Sequence, residues 1–303
     1  MCLSFAPTPA QPYHLRTARC AEALLPRPRL NVKPKHTGSG CRELRRAALR
    51  DPAQARFGLA RLGRSGYPWP RTMRAVASLF ILFATLLVGV ASYYAWAPGH
   101  VGSATFWALT CGPYVCLAIL AIWWAIRDDL LRQWLSPRWG DFTRGIVGAA
   151  VLYAAAWSFA HYAAPVGSAR EIWLVSLYGQ LGDPQQLRAH APLVGAAILL
   201  ASACEEVVWR GMVTQLIADR LGSRTGWLAA AALYAVAYVP TMWSLRAGSG
   251  LNPALVAAAL AVGVLCGAMA RAFGGLVPAI VAHAFFDWAA LMMIPLWGGR
   301  VEL

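Results

Sequence analysis

The run Ala201-Ser202-Ala203-Cys204-Glu205-Glu206-Val207-Val208-Trp209-Arg210-Gly211 places two carboxylates and a guanidinium inside an apolar stretch that extends over residues 192–217. A stretch of that length and character spans a bilayer as a helix. An ionisable side chain near the bilayer centre costs about 2.5–3.5 kcal/mol on insertion scales, so three within six residues need partners or a task. The same segment therefore predicts both a transmembrane helix and a functional site.

Working outward, the rest of the chain has the same character. It is 303 residues long, 58% hydrophobic, with a mean hydropathy of +0.49, outside the usual range of a soluble domain. Apolar stretches of about 20 residues predict seven spans, near residues 74–97, 103–126, 145–164, 192–217, 225–244, 253–271 and 275–297. The expected fold is all-α: a polytopic integral membrane protein with about seven transmembrane helices. Alternating the loops puts Arg127, Arg132, Arg138, Arg144, Arg220, Arg224 and Arg271 on one side with Arg71 and Arg74, and Arg170, Arg188, Arg246 and Arg300 on the other. The positive-inside rule then expects a cytoplasmic amino terminus, in a cytoplasmic (inner) membrane.

The net charge of +14 suggests a nucleic-acid binder until it is divided by region. Residues 1–72 carry 14 Lys and Arg against 3 Asp and Glu, and the remaining residues 13 against 10. The membrane part is thus close to neutral, and no nucleic-acid partner is expected. Residues 1–72 are also rich in Pro, Gly and Arg and lack sustained apolar periodicity, which reads as a basic, disordered tail. Because Met73-Arg74 precedes an apolar run, a mis-assigned extension is the competing reading. The expected organisation is this segment, then transmembrane helices and an outer loop over 73–191, then a core over 192–297.

Several other features have structural readings. Trp96, Trp123, Trp124, Trp173, Trp243 and Trp297 fall near predicted helix ends, as interfacial anchors do. Small residues recur through the sixth span at Ala257, Ala261, Gly263, Gly267 and Ala270, which suits close helix packing. The segment Glu171–Tyr178, within the longest loop, reads as a short interfacial helix or a partial lid. The seven cysteines show no CxxC spacing, so neither a disulfide framework nor a thiolate metal site is expected.

Neighbouring helix positions point about 100° apart, so Glu205 and Glu206 face different surroundings. Glu206 stands four residues before Arg210, the spacing and order of a helical ion pair, and reads as mainly structural. Glu205 has Ala201 and Trp209 at that spacing and so no local charge partner. A buried acid of this kind is suited to act as a base near neutral pH. The last span offers His283 and Asp287, four apart on one face. At about 1.5 Å rise per residue, Glu205 and His283 lie at depths that allow them to meet.

Taken in order, Glu205-Glu206-x-x-x-Arg210, Tyr234-x-x-x-Tyr238 and His283-x-x-x-Asp287 resemble the three motifs of the CPBP intramembrane proteases. That family includes CAAX prenyl endopeptidases and bacteriocin-processing or immunity proteins, also described as the Abi domain. The similarity covers roughly residues 192–290. It implies an intramembrane endopeptidase, a peptide hydrolase, acting on a membrane-anchored or lipidated peptide in membrane lipid. By resemblance, Glu205 activates water, Glu206 pairs with Arg210, and His283 with Asp287 binds or polarises the scissile carbonyl. Two cofactor readings stand: a divalent metal such as zinc held by Glu205 and His283, making an intramembrane metalloprotease, or a metal-free glutamate mechanism.

The middle motif departs from the family pattern, with Tyr238 where the family has His. A phenol can donate to an oxyanion but is a poor general base and an infrequent zinc ligand. Tyr238 therefore supports a second reading, a catalytically impaired member that binds or shields a membrane peptide. A proton-coupled carrier using the same acids as a relay is the third.

Overall fold

The computed structural model describes residues 71–293 apart from residues 247 and 249. The tail over residues 1–70 and Trp297 lie outside the described residues. Eleven helical segments among the described residues carry the fold: α1 (Arg71–Ala95), α2 (Ala104–Arg127), α3 (Leu131–Leu135), α4 (Asp141–Ala163), α5 (Ile172–Gln180), α6 (Pro184–Ala189), α7 (Ala191–Leu221), α8 (Gly226–Ala237), α9 (Thr241–Ser244), α10 (Ala254–Phe273) and α11 (Val277–Met293). Six helices are long and apolar enough to cross a membrane, counting α8 together with α9, and α11 is a shorter apolar helix. The protein is an all-α polytopic membrane protein.

The apolar surface faces outward. Helix α1 exposes Leu79, Leu82, Phe83, Leu86 and Val90 while burying Ala84, Val88, Ala91 and Ala95. This reverses the pattern of a soluble protein and is what lipid contact selects, because hydrocarbon is as apolar as Leu and small residues let helices approach. Helix α7 is the most enclosed. Half of its most apolar window is buried, against 28% for α1 and α2 and 22% for α4. The acidic pair thus lies on the central helix.

Hydrogen bonds tie the loops into two separate ends. At one end the Leu276 amide donates to the Trp134 carbonyl (2.8 Å), Arg138 Nη1 to the Phe273 carbonyl (2.5 Å), and Arg271 Nη1 to the Arg224 carbonyl (3.1 Å). At the other, the Gly102 amide donates to the Gln180 carbonyl (3.0 Å), Asn252 Nδ2 to the Trp173 carbonyl (2.8 Å), and the Tyr178 hydroxyl to the Ala290 carbonyl (2.7 Å). Alternate loops meet, as helices that cross in turn require. The segment expected to form a short helix near residues 171–178 does so as α5; α6 was not anticipated.

Differences from the predicted spans have local causes. Helix α4 begins at Asp141, ahead of the apolar run, where the Arg138 amide donates to Asp141 Oδ2 (2.8 Å) and Arg144 pairs with Asp141 Oδ1 (3.2 Å). Helix α7 likewise continues through the polar Asp219-Arg220 to Leu221. Trp96, expected at the interface, is instead buried edge-on against Phe106, with ring centroids 5.1 Å apart.

Small residues set the approach of the last helix. A methyl group at Gly145 of α4 would lie 2.5 Å from Val281 Cβ and 3.1 Å from the Pro278 carbonyl oxygen; one at Gly148 would lie 2.8 Å from Met269 Sδ and 2.9 Å from Ala282 Cβ. Val281, Ala282 and Pro278 immediately flank the His283 turn of α11. A methyl at Gly263 of α10 would sit 3.1 Å from the Ala231 carbonyl oxygen of α8. The small residues of the sixth span therefore do mark a close helix contact.

Candidate active site

Helix α7 is α-helical from Ala191 to Glu206 and then widens into a π-helical stretch over Val207–Val213. Such stretches are uncommon within helices and gather at functional sites. The Thr214 hydroxyl donates to the Trp209 carbonyl five residues back (2.7 Å), and Trp134 packs where a side chain at Gly211 would otherwise go, 2.9 Å from its ideal Cβ position. The acidic pair sits at the entrance to this wider coil.

Glu206 is fully buried, with 0% exposure, and its Oε1 has two partners. Arg210 Nη1 lies 3.1 Å away, the ion pair read from the spacing. His283 Nδ1 lies 2.9 Å from the same oxygen. Glu206 is therefore more than a structural mate for Arg210: it links α7 to α11. The Arg210 guanidinium carbon stands 4.5 Å from the centroid of the Tyr234 ring, a cation–π contact in a desolvated setting.

Beyond His283, Nε2 faces Asp287 Oδ2 at 3.5 Å, and Asp287 Oδ2 accepts a hydrogen bond from the Ser202 hydroxyl (3.2 Å). The Asp287 side chain is 30% exposed, whereas those of Arg210, Glu206 and His283 are at most 5% exposed. This polar cluster thus has its open edge at Asp287. No hydrogen bond or ion pair joins His283 to Glu205 among the described residues; the imidazole meets the neighbouring carboxylate.

Glu205 has a separate environment, as the 100° offset predicts. Its Oε2 accepts from the Tyr234 hydroxyl (2.5 Å) and from the Tyr238 hydroxyl (3.3 Å), both presented at the end of α8. The Tyr238 hydroxyl lies 3.1 Å from that of Tyr114, which α2 contributes. Glu205 Oε1 accepts no hydrogen bond among the described residues. One carboxylate oxygen is held by phenols, and the other is left for a further partner.

The structure brings Glu205, Glu206, Arg210, His283, Asp287 and Tyr238 into one region. Three neighbours were missed. Ser202 stands four residues before Glu206, so helix spacing alone could have placed it on that face. Tyr234 is the first position of the middle motif, but the spacing says nothing of where its hydroxyl goes. Tyr114 comes from a distant helix and leaves no local signal.

The donors do not fit a metal held by three protein ligands. One imidazole is present, with a ring nitrogen toward each of two carboxylates, and a phenol occupies the position of a second imidazole. Among the described residues no group of three or more His, Cys, Asp and Glu side chains is arranged to hold a metal ion.

Residues 187–289 match the family model described as type II CAAX prenyl endopeptidase Rce1-like. The match agrees with the resemblance to CPBP proteases carried by the three motifs, and it spans α7, α8, α10 and the part of α11 that bears His283 and Asp287. No curated protein and no solved structure matches the chain.

Proposed function

We propose that this protein is an intramembrane endopeptidase that cleaves a membrane-anchored or lipidated peptide with water activated by Glu205. The family match over residues 187–289 supports a peptidase of the CAAX type. The observation that carries the residue assignment is the asymmetry of Glu205, whose Oε2 is held by two phenols while Oε1 accepts nothing from the described protein groups.

In this reading a water molecule donates to Glu205 Oε1. As its oxygen bonds to the scissile carbonyl carbon, its proton passes to Glu205, and the carbonyl oxygen takes up the displaced electron pair. The donor to that oxyanion is assigned to His283, whose ring Glu206 orients through Nδ1 and whose Nε2 contact with Asp287 is the longer one at 3.5 Å. Collapse of the tetrahedral species breaks the C–N bond, and the proton held by Glu205 goes to the leaving amine. The products are a carboxylic acid, which keeps the second proton of the water, and an amine. Every step uses this chain's own residues.

The test is release of the carboxyl-terminal fragment of a farnesylated peptide by purified protein in lipid nanodiscs. Glu205→Gln is expected to lower the rate by about a hundredfold to ten-thousandfold with the fold retained, the range for removing a general base. Equal cleavage by parent and variant would contradict the role of Glu205. A parent that binds the peptide without cutting it would favour the non-catalytic reading, for which Tyr238 in place of His is the supporting observation.

A further inference from the structure

We infer that Tyr114 of α2 is a positioning residue for the Glu205 site, fixing the direction of the Tyr238 O–H and thereby keeping Glu205 Oε1 free for the attacking water. The inference rests on the peptidase reading and adds to it a residue from outside the matched segment 187–289.

A carboxylate oxygen has two lone-pair directions. On Glu205 Oε2 these are taken by Tyr234 at 2.5 Å and Tyr238 at 3.3 Å. Tyr238 has one proton and two neighbours to offer it to, Glu205 Oε2 and the Tyr114 oxygen at 3.1 Å. If Tyr114 donates to Tyr238, then Tyr238 donates to Glu205, and every member of the chain is satisfied. If the chain runs the other way, Tyr238 presents a lone pair to a carboxylate oxygen, which repels it. Tyr114 thus commits the Tyr238 proton to Oε2. Hydrogen bonds in such a chain also polarise one another in a low dielectric, so the second phenol strengthens the first.

Burial supports a single arrangement. Tyr114 and Tyr234 are buried, and Tyr234 is further fixed by edge contact with Tyr238, ring centroids 5.4 Å apart, and by Arg210 over its face. A hydroxyl buried there without a partner would be costly. The position that holds His in the family motif is here one member of a chain of three phenols linked through Glu205, whose outermost member comes from another helix.

The experiment compares parent, Tyr114→Phe, Tyr238→Phe and the double variant, all in lipid nanodiscs, where Phe preserves the packing. Cleavage of a farnesylated peptide is measured together with the infrared carboxyl band assigned to Glu205 by its loss in Glu205→Gln. Tyr114→Phe is expected to lower kcat about tenfold with KM unchanged, as for a displaced catalytic group. Its effect should vanish when Tyr238 is already Phe, and the carboxyl band should shift in Tyr114→Phe but not further in the double variant. An unchanged band and kcat in Tyr114→Phe would overturn the inference, as would losses that multiply independently. Absence of Glu205-dependent cleavage in the parent would instead refute the peptidase reading, while the band would still decide the phenol chain: a shift supports it and no shift overturns it.

Discussion

Two adjacent glutamates, one residue apart on α7, have unlike partners. Glu206 is held by Arg210 and His283, and Glu205 by phenols. Removing one side of a buried pair leaves an uncompensated charge, so Arg210→Met should destabilise the fold by about 3–5 kcal/mol. Thermal unfolding in detergent checks this, and adding Glu206→Gln to Arg210→Met should recover part of the loss; no recovery would mean that the guanidinium acts through Tyr234 rather than through the pair. At this scale the sequence was informative wherever partners share a helix. Glu206 with Arg210 and His283 with Asp287 were legible from four-residue spacing, whereas the Glu206–His283 and Tyr238–Tyr114 contacts cross between helices and follow from packing that no local pattern encodes.

Helices position these residues through their small side chains. Glycines on α4 let α11 approach closely enough for His283 to reach α7, and the wide coil at Val207–Val213 follows directly after the acidic pair. Gly145→Ala is expected to destabilise by about 1–3 kcal/mol, the range for overpacking a core, because its methyl meets the Pro278 backbone as well as Val281. Gly112→Ala meets nothing within 4 Å and should be neutral or stabilising by up to about 1 kcal/mol. Melting temperatures of the two variants make the comparison; equal effects would contradict the packing argument. The spans themselves were readable from hydropathy. Their polar ends were not, since Asp141 begins its helix through its bonds to Arg138 and Arg144 rather than by apolar content, α7 runs on through the polar Asp219-Arg220, and the π-helical stretch has no period that distinguishes it in sequence.

For the whole molecule, two sets of loops joined by separate hydrogen bonds define two ends, and the arginine bias assigns the end bearing Arg138, Arg224 and Arg271 to the cytoplasm as a proposal. With the native cysteines replaced, Ser223→Cys should react with an impermeant maleimide only in inside-out vesicles and Val166→Cys only in right-side-out ones. Reversed labelling would invert the orientation. The six helices of membrane length and the shorter apolar α11 were legible because the bilayer fixes helix length, but which helix lies at the centre was not, since hydropathy does not separate lipid contact from protein contact. The acids on α7 gave the available hint.

In the proposed reaction, Glu205 activates water to cut a membrane peptide. That role is tested most directly by comparing the termini of membrane proteins in host cells that carry either the parent gene or Glu205→Gln at equal abundance. New termini are expected in the parent and lost in the variant, which would also identify the substrate. Identical termini in the two would contradict that role.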